Sequence, residues 1–303
     1  MIIDQIRGLH NDGRVEDLRM AINSSLTDLL TAMELLPCGD DRFLVEPTGA
    51  GRFDRVFGGQ LLAQAVMGAC ATVPDKDIHS LHANFLQAGT PGAPLQVDVA
   101  RLRDGRSIAT REVKVLQEGV PLLAAITSFV KFLPQPDVAV PAPSVAPPEE
   151  TPPLQALVGE ASSGRHWIEH PPAVELRLQE PPSFLTGVTA NTPRAHWMRL
   201  PRAVEGHGLN AALLTYASDF FLMDMVFRLH PEELGPGRAN GFSLDHAIWF
   251  HRPVSFGVWH LHTQEAVALV GNRGVARGVI HDVAGKCVAS VAQEVLLRMA
   301  SQS

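Results

Sequence analysis

The sequence predicts an α+β protein built from two similar halves, each with one long buried helix followed by antiparallel strands. Two apolar runs, Gly59–Ala71 and Asn210–Phe227, have helical length and little polar surface, so both helices are expected to be buried on most sides. Four runs rich in β-branched or apolar residues follow each helix and are bounded by Gly, Pro or Asp, as strands usually are. A proline-rich segment separates the two copies.

The composition is that of a globular chain with room for two domains. The chain has 303 residues, of which 46% are hydrophobic, and this length suits two domains of ordinary size. The formal net charge is −7 and the pI is about 6.0. This charge argues against a nucleic-acid-binding protein, which usually shows a basic footprint. A small anionic ligand is not excluded, because a local basic patch can coexist with a net negative charge.

The first half begins with residues 1–24, which are mixed in charge and are interpreted as an N-terminal extension. A helix over Leu26–Leu36 is expected to end before a proline, and the buried helix is expected to end at Pro74. The pair Asp104-Gly105 is a strong hairpin-turn signal. The predicted strands of this half are Phe43–Glu46, His79–Gln87, Leu95–Leu102, Ser107–Gln117 and Leu122–Phe132.

Residues 133–155 hold eight prolines and no periodic apolar pattern. This composition predicts a semi-extended surface linker between two bodies. The predicted organisation is therefore an N-terminal extension at 1–24, a first domain at 25–132, the linker at 133–155 and a second domain at 156–303.

The second half repeats the order of the first. HANFL at 82–86 matches HAIWF at 246–250, and GRSIAT at 105–110 matches NRGVAR at 272–277. The first match pairs His82 with His246 and indicates a shared structural role for the two histidines. The predicted strands of this half are Ala195–Leu200, Ser243–His251, Trp259–Leu269, Gly274–His281 and Cys287–Arg298.

No sequence motif indicates a metal, a nucleotide cofactor or a nucleophilic serine. The cysteines, Cys38, Cys70 and Cys287, have no CxxC spacing, so they indicate neither a disulfide framework nor a zinc site. The 13 histidines include no HExxH, and GxSxG and GxGxxG are both absent. We therefore expect no metal and no cofactor.

The sequence also shows no signal for export or membrane insertion. The first residues contain no long apolar stretch, and no apolar run reaches transmembrane length. The last three residues, Ser301-Gln302-Ser303, do not form a peroxisomal SKL-type address. These features predict a cytoplasmic protein without stable membrane insertion.

Six strings occur here in the order in which one known family carries them, and together they span about Leu26 to Arg298. They are RVFGGQLLAQA, HSLHANFLQAG, LRDGRS, YASDF, SLDHAIWFHRP and VASVAQE. Through them the chain resembles the acyl-CoA thioesterase II family. The resemblance implies a tandem double hotdog fold, in which a curved antiparallel sheet wraps each helix. It also implies hydrolysis of a fatty acyl-CoA to free acid and CoA, by a protein that forms a homo-oligomer, either a dimer or a tetramer.

Asp219 is the leading catalytic candidate. It lies in the middle of the predicted helix Asn210–Phe227, among apolar residues, where an unpaired carboxylate is costly to bury. The resemblance places the family's catalytic aspartate in YASD, at Asp219. Asp224 lies nearer the end of the same helix and is predicted to have a surface or capping role.

The resemblance implies two further catalytic positions, Ser243 two residues before the DH pair and Gln293 in VAQE. Strand alternation puts Gln293 on one face with Val291 and Val295, where its amide needs hydrogen-bond partners. Alternation alone does not direct Ser243 toward the helix, so a bulge would be needed. Asp219 is expected to take a proton from a water that the other two side chains hold, with no covalent intermediate.

Gly58 and Gly59 open the first buried helix, where backbone N–H groups and the helix dipole favour negative charge. In hotdog thioesterases the acid comes from one hotdog and the donors from its partner. By that analogy Gly58, Gly59 and Gln60 are predicted to bind the substrate and stabilise the oxyanion. The alternative is that the two glycines only permit close packing.

Two other functions stay open. One is a hotdog enoyl-CoA hydratase or dehydratase. Enzymes of that kind resemble one another in pairing an Asp with a His five residues later, whereas here Asp219 is followed at that distance by Asp224. The other is a non-catalytic acyl-CoA-binding protein, against which the presence of all three polar positions argues.

Overall fold

The computed structural model describes residues 20–47, 55–133, 137–158, 167–183, 193–234 and 238–299. Within these ranges the helices named in this description are α1 (Leu26–Thr31), α2 (Gly58–Ala71), α3 (Leu154–Leu157), α4 (His207–Ser218), α5 (Leu222–Phe227) and α6 (Pro231–Leu234), beside shorter helical turns. The strands are β1 (Met20–Ala21), β2 (Leu36–Gly39), β3 (Arg42–Val45), β4 (Arg55–Val56), β5 (Asp77–Phe85), β6 (Leu95–Asp104), β7 (Ile108–Gln117), β8 (Val120–Val130), β9 (Glu175–Leu178), β10 (Arg194–Arg199), β11 (Ala239–Ser243), β12 (Asp245–Phe250), β13 (His260–Val270), β14 (Arg273–Asp282) and β15 (Cys287–Met299).

One continuous antiparallel sheet of thirteen strands runs through the described part of the chain. Its order is β2-β3-β6-β7-β8-β5-β12-β15-β14-β13-β10-β9, and β11 also pairs with β15. The two halves meet where β5 pairs with β12, from Asn84 opposite Asp245 to Ser80 opposite Trp249. The edge-to-edge joining of the two sheets is as expected for tandem repeats, whereas the domain boundaries stay a prediction.

The two long helices, α2 and α4, pack against each other and run in opposite directions. A β-carbon added at Gly59, near the start of α2, would lie 2.5 Å from the carbonyl oxygen of Tyr216, near the end of α4. A β-carbon added at Gly208, near the start of α4, would lie 3.1 Å from Cβ of Cys70. Each helix therefore begins beside the end of the other, and small residues permit the close approach. Most of α2 is buried, as its apolar sequence predicts.

The predicted single helix Asn210–Phe227 is wrong, because the chain breaks into α4 and α5. Three residues separate the two helices, and Phe221 among them has the left-handed φ of 67°. Side chains from the sheet donate hydrogen bonds to the backbone carbonyls at the break. Gln264 Nε2 donates to the oxygen of Phe220 at 2.8 Å, and Arg194 Nη2 donates to the oxygen of Phe221 at 3.3 Å. No Gly or Pro marks this break, so the sequence pattern concealed it.

The predicted helix Leu26–Leu36 is also too long. Helix α1 ends at Thr31, and the amide of Glu34 then bonds back to the Thr31 carbonyl at 3.0 Å in a tight turn. Leu36 instead begins strand β2, opposite Leu44. Pairing with a neighbouring strand therefore determines the conformation at Leu36, although the local sequence pattern favoured a helix there.

The proposed equivalence of His82 and His246 is wrong by one residue. His246 lies opposite Ala83 and is fully buried, whereas His82 lies opposite Ala247 and is exposed. Side chains alternate between the two faces of a strand, so a slip of one residue reverses the face. The matched letters HANFL and HAIWF therefore do not share one structural position.

The described part of the proline-rich segment lies on the second half. Arg252 holds Asp137 through two hydrogen bonds of 3.0 Å, and Trp197 Nε1 donates to the oxygen of Ala146 at 2.9 Å. Leu154, which falls inside the predicted linker, starts α3 and is fully buried. The described part of this segment is thus attached to the second half at Asp137 and Ala146 and is buried at Leu154.

Candidate active site

The sequence predicted that Asp219 lies in the middle of a helix. In the structure it caps the C-terminal end of α4 instead. Its side chain is 6% exposed and meets the start of α2. Gln293 on β15 donates from Nε2 to Asp219 Oδ1 at 3.0 Å and to Ser243 Oγ at 2.5 Å. The structure thus brings together a carboxylate, an amide and a hydroxyl from three separated segments. Since the Ser243 oxygen accepts from Gln293, its own hydrogen can point toward a bound molecule.

A break in the sheet puts Ser243 in this position. The predicted strand Ser243–His251 is divided into β11 and β12, with Leu244 between them. Ser243 lies opposite Val295, whereas Ala247 lies opposite Ala292, so the register shifts by one residue across the break. The shift reverses the face on which Ser243 lies, which is the effect of a bulge. Strand alternation indicated that a bulge was needed, but no residue pattern located it.

Burial governs the acidity of Asp219. Removal from water raises the pKa of this carboxyl from 3.8 to about 6, even though hydrogen bonds from Gln293 and from the backbone N–H of Gly59 act to lower it. A carboxylate with a pKa near 6 is ionised at neutral pH and is a stronger base than an exposed aspartate. Such tuning is what general-base catalysis near neutral pH requires.

The start of α2 lies directly against Asp219. A β-carbon at Gly58 would lie 2.9 Å from Asp219 Oδ2, and the backbone N–H of Gly59 bonds to the carboxylate. Gln60 is placed differently from its neighbours. Its backbone N–H donates to the carbonyl of Phe57 at 3.0 Å, and its side-chain oxygen accepts from Asn23 Nδ2 at 3.1 Å. The Gln60 side chain is therefore occupied in holding the N-terminal segment.

Substituting Gly58 by alanine tests this contact. The added methyl group should push the Asp219 carboxylate away from Gln293, because the carboxylate is the nearest movable group. We expect kcat for the acyl-CoA hydrolysis that the family resemblance implies to fall by roughly 10- to 100-fold, since small displacements of a catalytic group have effects of that order. Gly208→Ala is the matched control, because it adds a methyl group at the start of the other helix. Equal activity of the two variants in a CoA-release assay would contradict the contact.

Asn23, which no sequence motif indicated, links both helices at this end. Its backbone N–H donates to Tyr216 Oη at 3.3 Å, while its side chain bonds to Gln60 on α2. Its carbonyl accepts from the amide of Ala173 at 2.8 Å. The predicted N-terminal extension therefore contains a residue that links α2 to α4. Its contact on α4 is Tyr216, three residues before Asp219. The one tyrosine of the chain was a signal, because a buried phenol needs a partner.

The surface role predicted for Asp224 is wrong. Asp224 Oδ2 lies 2.6 Å from Arg194 Nη1, and the two side chains are 0% and 1% exposed. The Ser183 N–H also donates to this carboxylate, at 3.1 Å. The same guanidinium reaches the carbonyl of Phe221, so the ion pair helps to hold the break that presents Asp219.

A cavity of about 450 Å³ lies at the opposite end of the helix pair. Its lining includes Cys70, Ile78, His207 and Arg252, and burial raises the pKa of the Cys70 thiol to about 12. This cavity lacks the arrangement of carboxylate, amide and hydroxyl found around Asp219. Among the described residues, no three His, Cys, Asp or Glu side chains converge as metal ligands do. No helix in the same ranges is long and apolar enough to cross a membrane.

Comparison with known proteins agrees with this architecture. A model of the acyl-CoA thioesterase N-terminal domain matches residues 46–130, and one of the acyl-CoA thioesterase C-terminal domain matches residues 143–297. The acyl-CoA thioesterase 2 of Haemophilus influenzae is 31% identical, over 90% of this chain and 98% of its own length. The structure of the acyl-CoA thioesterase II TesB2 from Mycobacterium marinum superposes with a TM-score of 0.74 at 27% identity, covering 90% of this chain and 99% of that one.

A protein with a hot dog fold from Alicyclobacillus acidocaldarius, 19% identical, superposes with a TM-score of 0.70 over 91% of this chain and 98% of its own, which shows the fold alone. The predicted double hotdog fold is confirmed by these structures. With both domain models matched in order, the chain belongs to the acyl-CoA thioesterase family, whose members are thioester hydrolases.

Proposed function

We propose that this enzyme hydrolyses fatty acyl-CoA thioesters to free fatty acid and CoA, using a water held by Asp219, Ser243 and Gln293. The observation that carries the proposal is the chain of hydrogen bonds from the Ser243 hydroxyl through the Gln293 amide to the buried Asp219 carboxylate. Thioester hydrolysis needs an activated water and donors for the developing oxyanion. A buried base and a helix N-terminus lie together at this site.

In the proposed reaction the Asp219 carboxylate takes a proton from water as the water oxygen bonds to the thioester carbon. The C–S bond then breaks, and the proton passes from Asp219 to the departing CoA sulfur. No covalent enzyme intermediate is needed. We assign the stabilisation of the oxyanion to the start of α2, where the two glycines permit close approach of a ligand to the backbone. The backbone N–H of Gly58 is the donor in this assignment, because that of Gly59 bonds to Asp219. Gln60 would contribute only by holding the first turn of α2 in place, because its side chain bonds to Asn23.

Turnover of a series of acyl-CoA substrates from acetyl-CoA to palmitoyl-CoA tests the proposal. We expect CoA release, followed with a thiol reagent, and a preferred chain length within the series. Crotonyl-CoA hydration is the control for the hydratase alternative and should not be detected, because Asp224 is engaged with Arg194 and no histidine occupies that position. Tight binding of acyl-CoA without CoA release would favour the non-catalytic alternative.

A cytoplasmic location and a homo-oligomeric state stay proposals. Exposed apolar side chains on the outer face of the central strands support self-association. Ile126 and Trp249 lie on either side of His82 there, and the His82 and Trp249 rings are 5.0 Å apart. Light scattering at several concentrations would measure the molecular mass.

A further inference from the structure

His246 is a fully buried side chain beside Asp219 for which the reaction described above has no role. It comes from β12, and its two ring nitrogens face two neighbouring residues at the end of α4. Nε2 lies 3.0 Å from Ser218 Oγ, and Nδ1 lies 3.8 Å from Asp219 Oδ1. Among the described residues, no polar atom lies within hydrogen-bonding distance of Nδ1. An unsatisfied buried acceptor or donor at this point calls for an explanation.

The hydrogen bonds at the end of α4 determine which nitrogen carries the proton. In a continued helix the Asp219 amide would bond to the carbonyl of Thr215, but it is directed at the carbonyl of Ala217. The Ser218 hydroxyl donates to the Thr215 carbonyl instead, at 2.8 Å. Having given its one hydrogen, the Ser218 oxygen can only accept from His246. His246 therefore carries its hydrogen on Nε2 and turns the lone pair of Nδ1 toward Asp219.

The ring is neutral, because complete burial lowers the pKa of His246 to about 3. The other titratable groups beside the pair come from β13 and α4. His262 on β13 is also buried, with its pKa lowered to about 3, and burial raises the pKa of Tyr216 on α4 well above its usual range. Within the described surroundings of the ring, Asp219 is the group that titrates near pH 6.

We propose that His246 is a positioning residue of the hydrolysis, whose neutral Nδ1 accepts a hydrogen bond from Asp219 once that carboxyl has taken the proton of the attacking water. While Asp219 is ionised, two lone pairs face each other and the atoms stay 3.8 Å apart. Protonated Asp219 has an O–H that can close this distance. The inference rests on the proposed role of Asp219 as the base.

The consequence is a stronger base. A hydrogen bond that forms only with the protonated carboxyl favours that form and raises the pKa of Asp219. The proton leaves again to the CoA sulfur, and His246 returns to its resting contact without changing its own protonation. An ion pair between a charged His246 and Asp219 would do the opposite and lower the pKa of Asp219. The two arrangements therefore predict shifts of opposite sign when His246 is removed.

The variants His246→Leu and His246→Asn test the proposal through the pH profile of kcat/KM on octanoyl-CoA. Leucine removes the acceptor, whereas the asparagine oxygen can take the place of Nδ1. For His246→Leu we expect the acidic limb to move to lower pH by about one unit and the plateau to fall by roughly 10-fold. His246→Asn should keep the acidic limb near that of the wild type. An unchanged limb in a folded leucine variant, or a shift to higher pH, would overturn the proposal.

A measurement on the unaltered ring covers the case in which the leucine variant does not fold. Nitrogen NMR of ¹⁵N-labelled histidine should show the Nε2–H form of His246. Its Nδ1 resonance should change as pH falls through about 6, and this change should vanish in Asp219→Asn. An Nδ1–H form, or no response in the wild type, would contradict the inference. Undiminished turnover by Asp219→Asn would instead contradict the proposed function itself, so the two failures are distinguishable.

Discussion

Replacing Asp219 by asparagine is expected to lower kcat for acyl-CoA hydrolysis by at least roughly 100-fold, the scale of a positioned general base. Asparagine has nearly the same shape and keeps an oxygen that can accept from Gln293, so the fold should persist. It cannot take a proton from water. Acyl-CoA binding should remain, because contacts with the acyl chain and with CoA do not depend on that proton transfer. The measurement is kcat for both proteins on one good substrate, together with the binding affinity.

The same variant should be at least as stable as the wild type at neutral pH. Because the pKa of Asp219 is raised from 3.8 in the unfolded chain to about 6 in the fold, the folded state binds its proton more tightly. The stability linked to that proton is fully present below pH 3.8 and is lost as pH rises through 6. The loss amounts to about 3 kcal/mol from the pKa difference. The melting temperature of Asp219→Asn minus that of the wild type should therefore increase as pH rises from 4 to 7.

Gln293→Ala provides a graded comparison. It removes the amide that bonds to both Asp219 and Ser243, but the base remains, so kcat should fall less than in Asp219→Asn. If Asp219→Asn turns over within about threefold of the wild type, Asp219 is a structural residue and the proposed reaction is wrong.

The largest expected effect on stability comes from Arg194→Met. This change removes the guanidinium that faces the Asp224 carboxylate in a fully buried pair. Removing one partner of such a pair destabilises proteins by about 3–5 kcal/mol, since a buried charge loses its compensation. The melting temperature should drop by on the order of 10 °C. Since Arg194 also bonds the carbonyl of Phe221, kcat should fall as well, even where the variant is folded.

Arg277→Met is the matched control for this change. Arg277 pairs with Glu265 at 2.6 Å, but the two side chains are 64% and 41% exposed. Exposed ion pairs contribute little, so the melting temperature should change by no more than about 2 °C. Thermal unfolding of both variants in one buffer makes the comparison. Similar losses in the two would show that burial does not govern the contribution of the Arg194 pair.

Local patterns in the sequence determined much of this protein. The apolar run from Gly59 to Ala71 predicted a buried helix, because a helix without a polar face cannot lie in water. Hairpin signals such as Asp104-Gly105 located the strand pairs of the first half. Six motifs in register identified the family, and with it the candidates Asp219, Ser243 and Gln293. These features depend on short-range periodicity and on residue identity, both of which are present in the letters.

Only the tertiary structure decided how these residues meet. Bonds from distant strands to the carbonyls of Phe220 and Phe221 stop the helix at Asp219, and no local signal predicts them. A register shift at Leu244 directs Ser243 to Gln293, and register depends on the partner strand. The burial of Asp224 against Arg194 likewise required a strand thirty residues earlier to pack on α5. The chain thus encodes its elements locally, while long-range pairing sets the geometry and the acidity of the site.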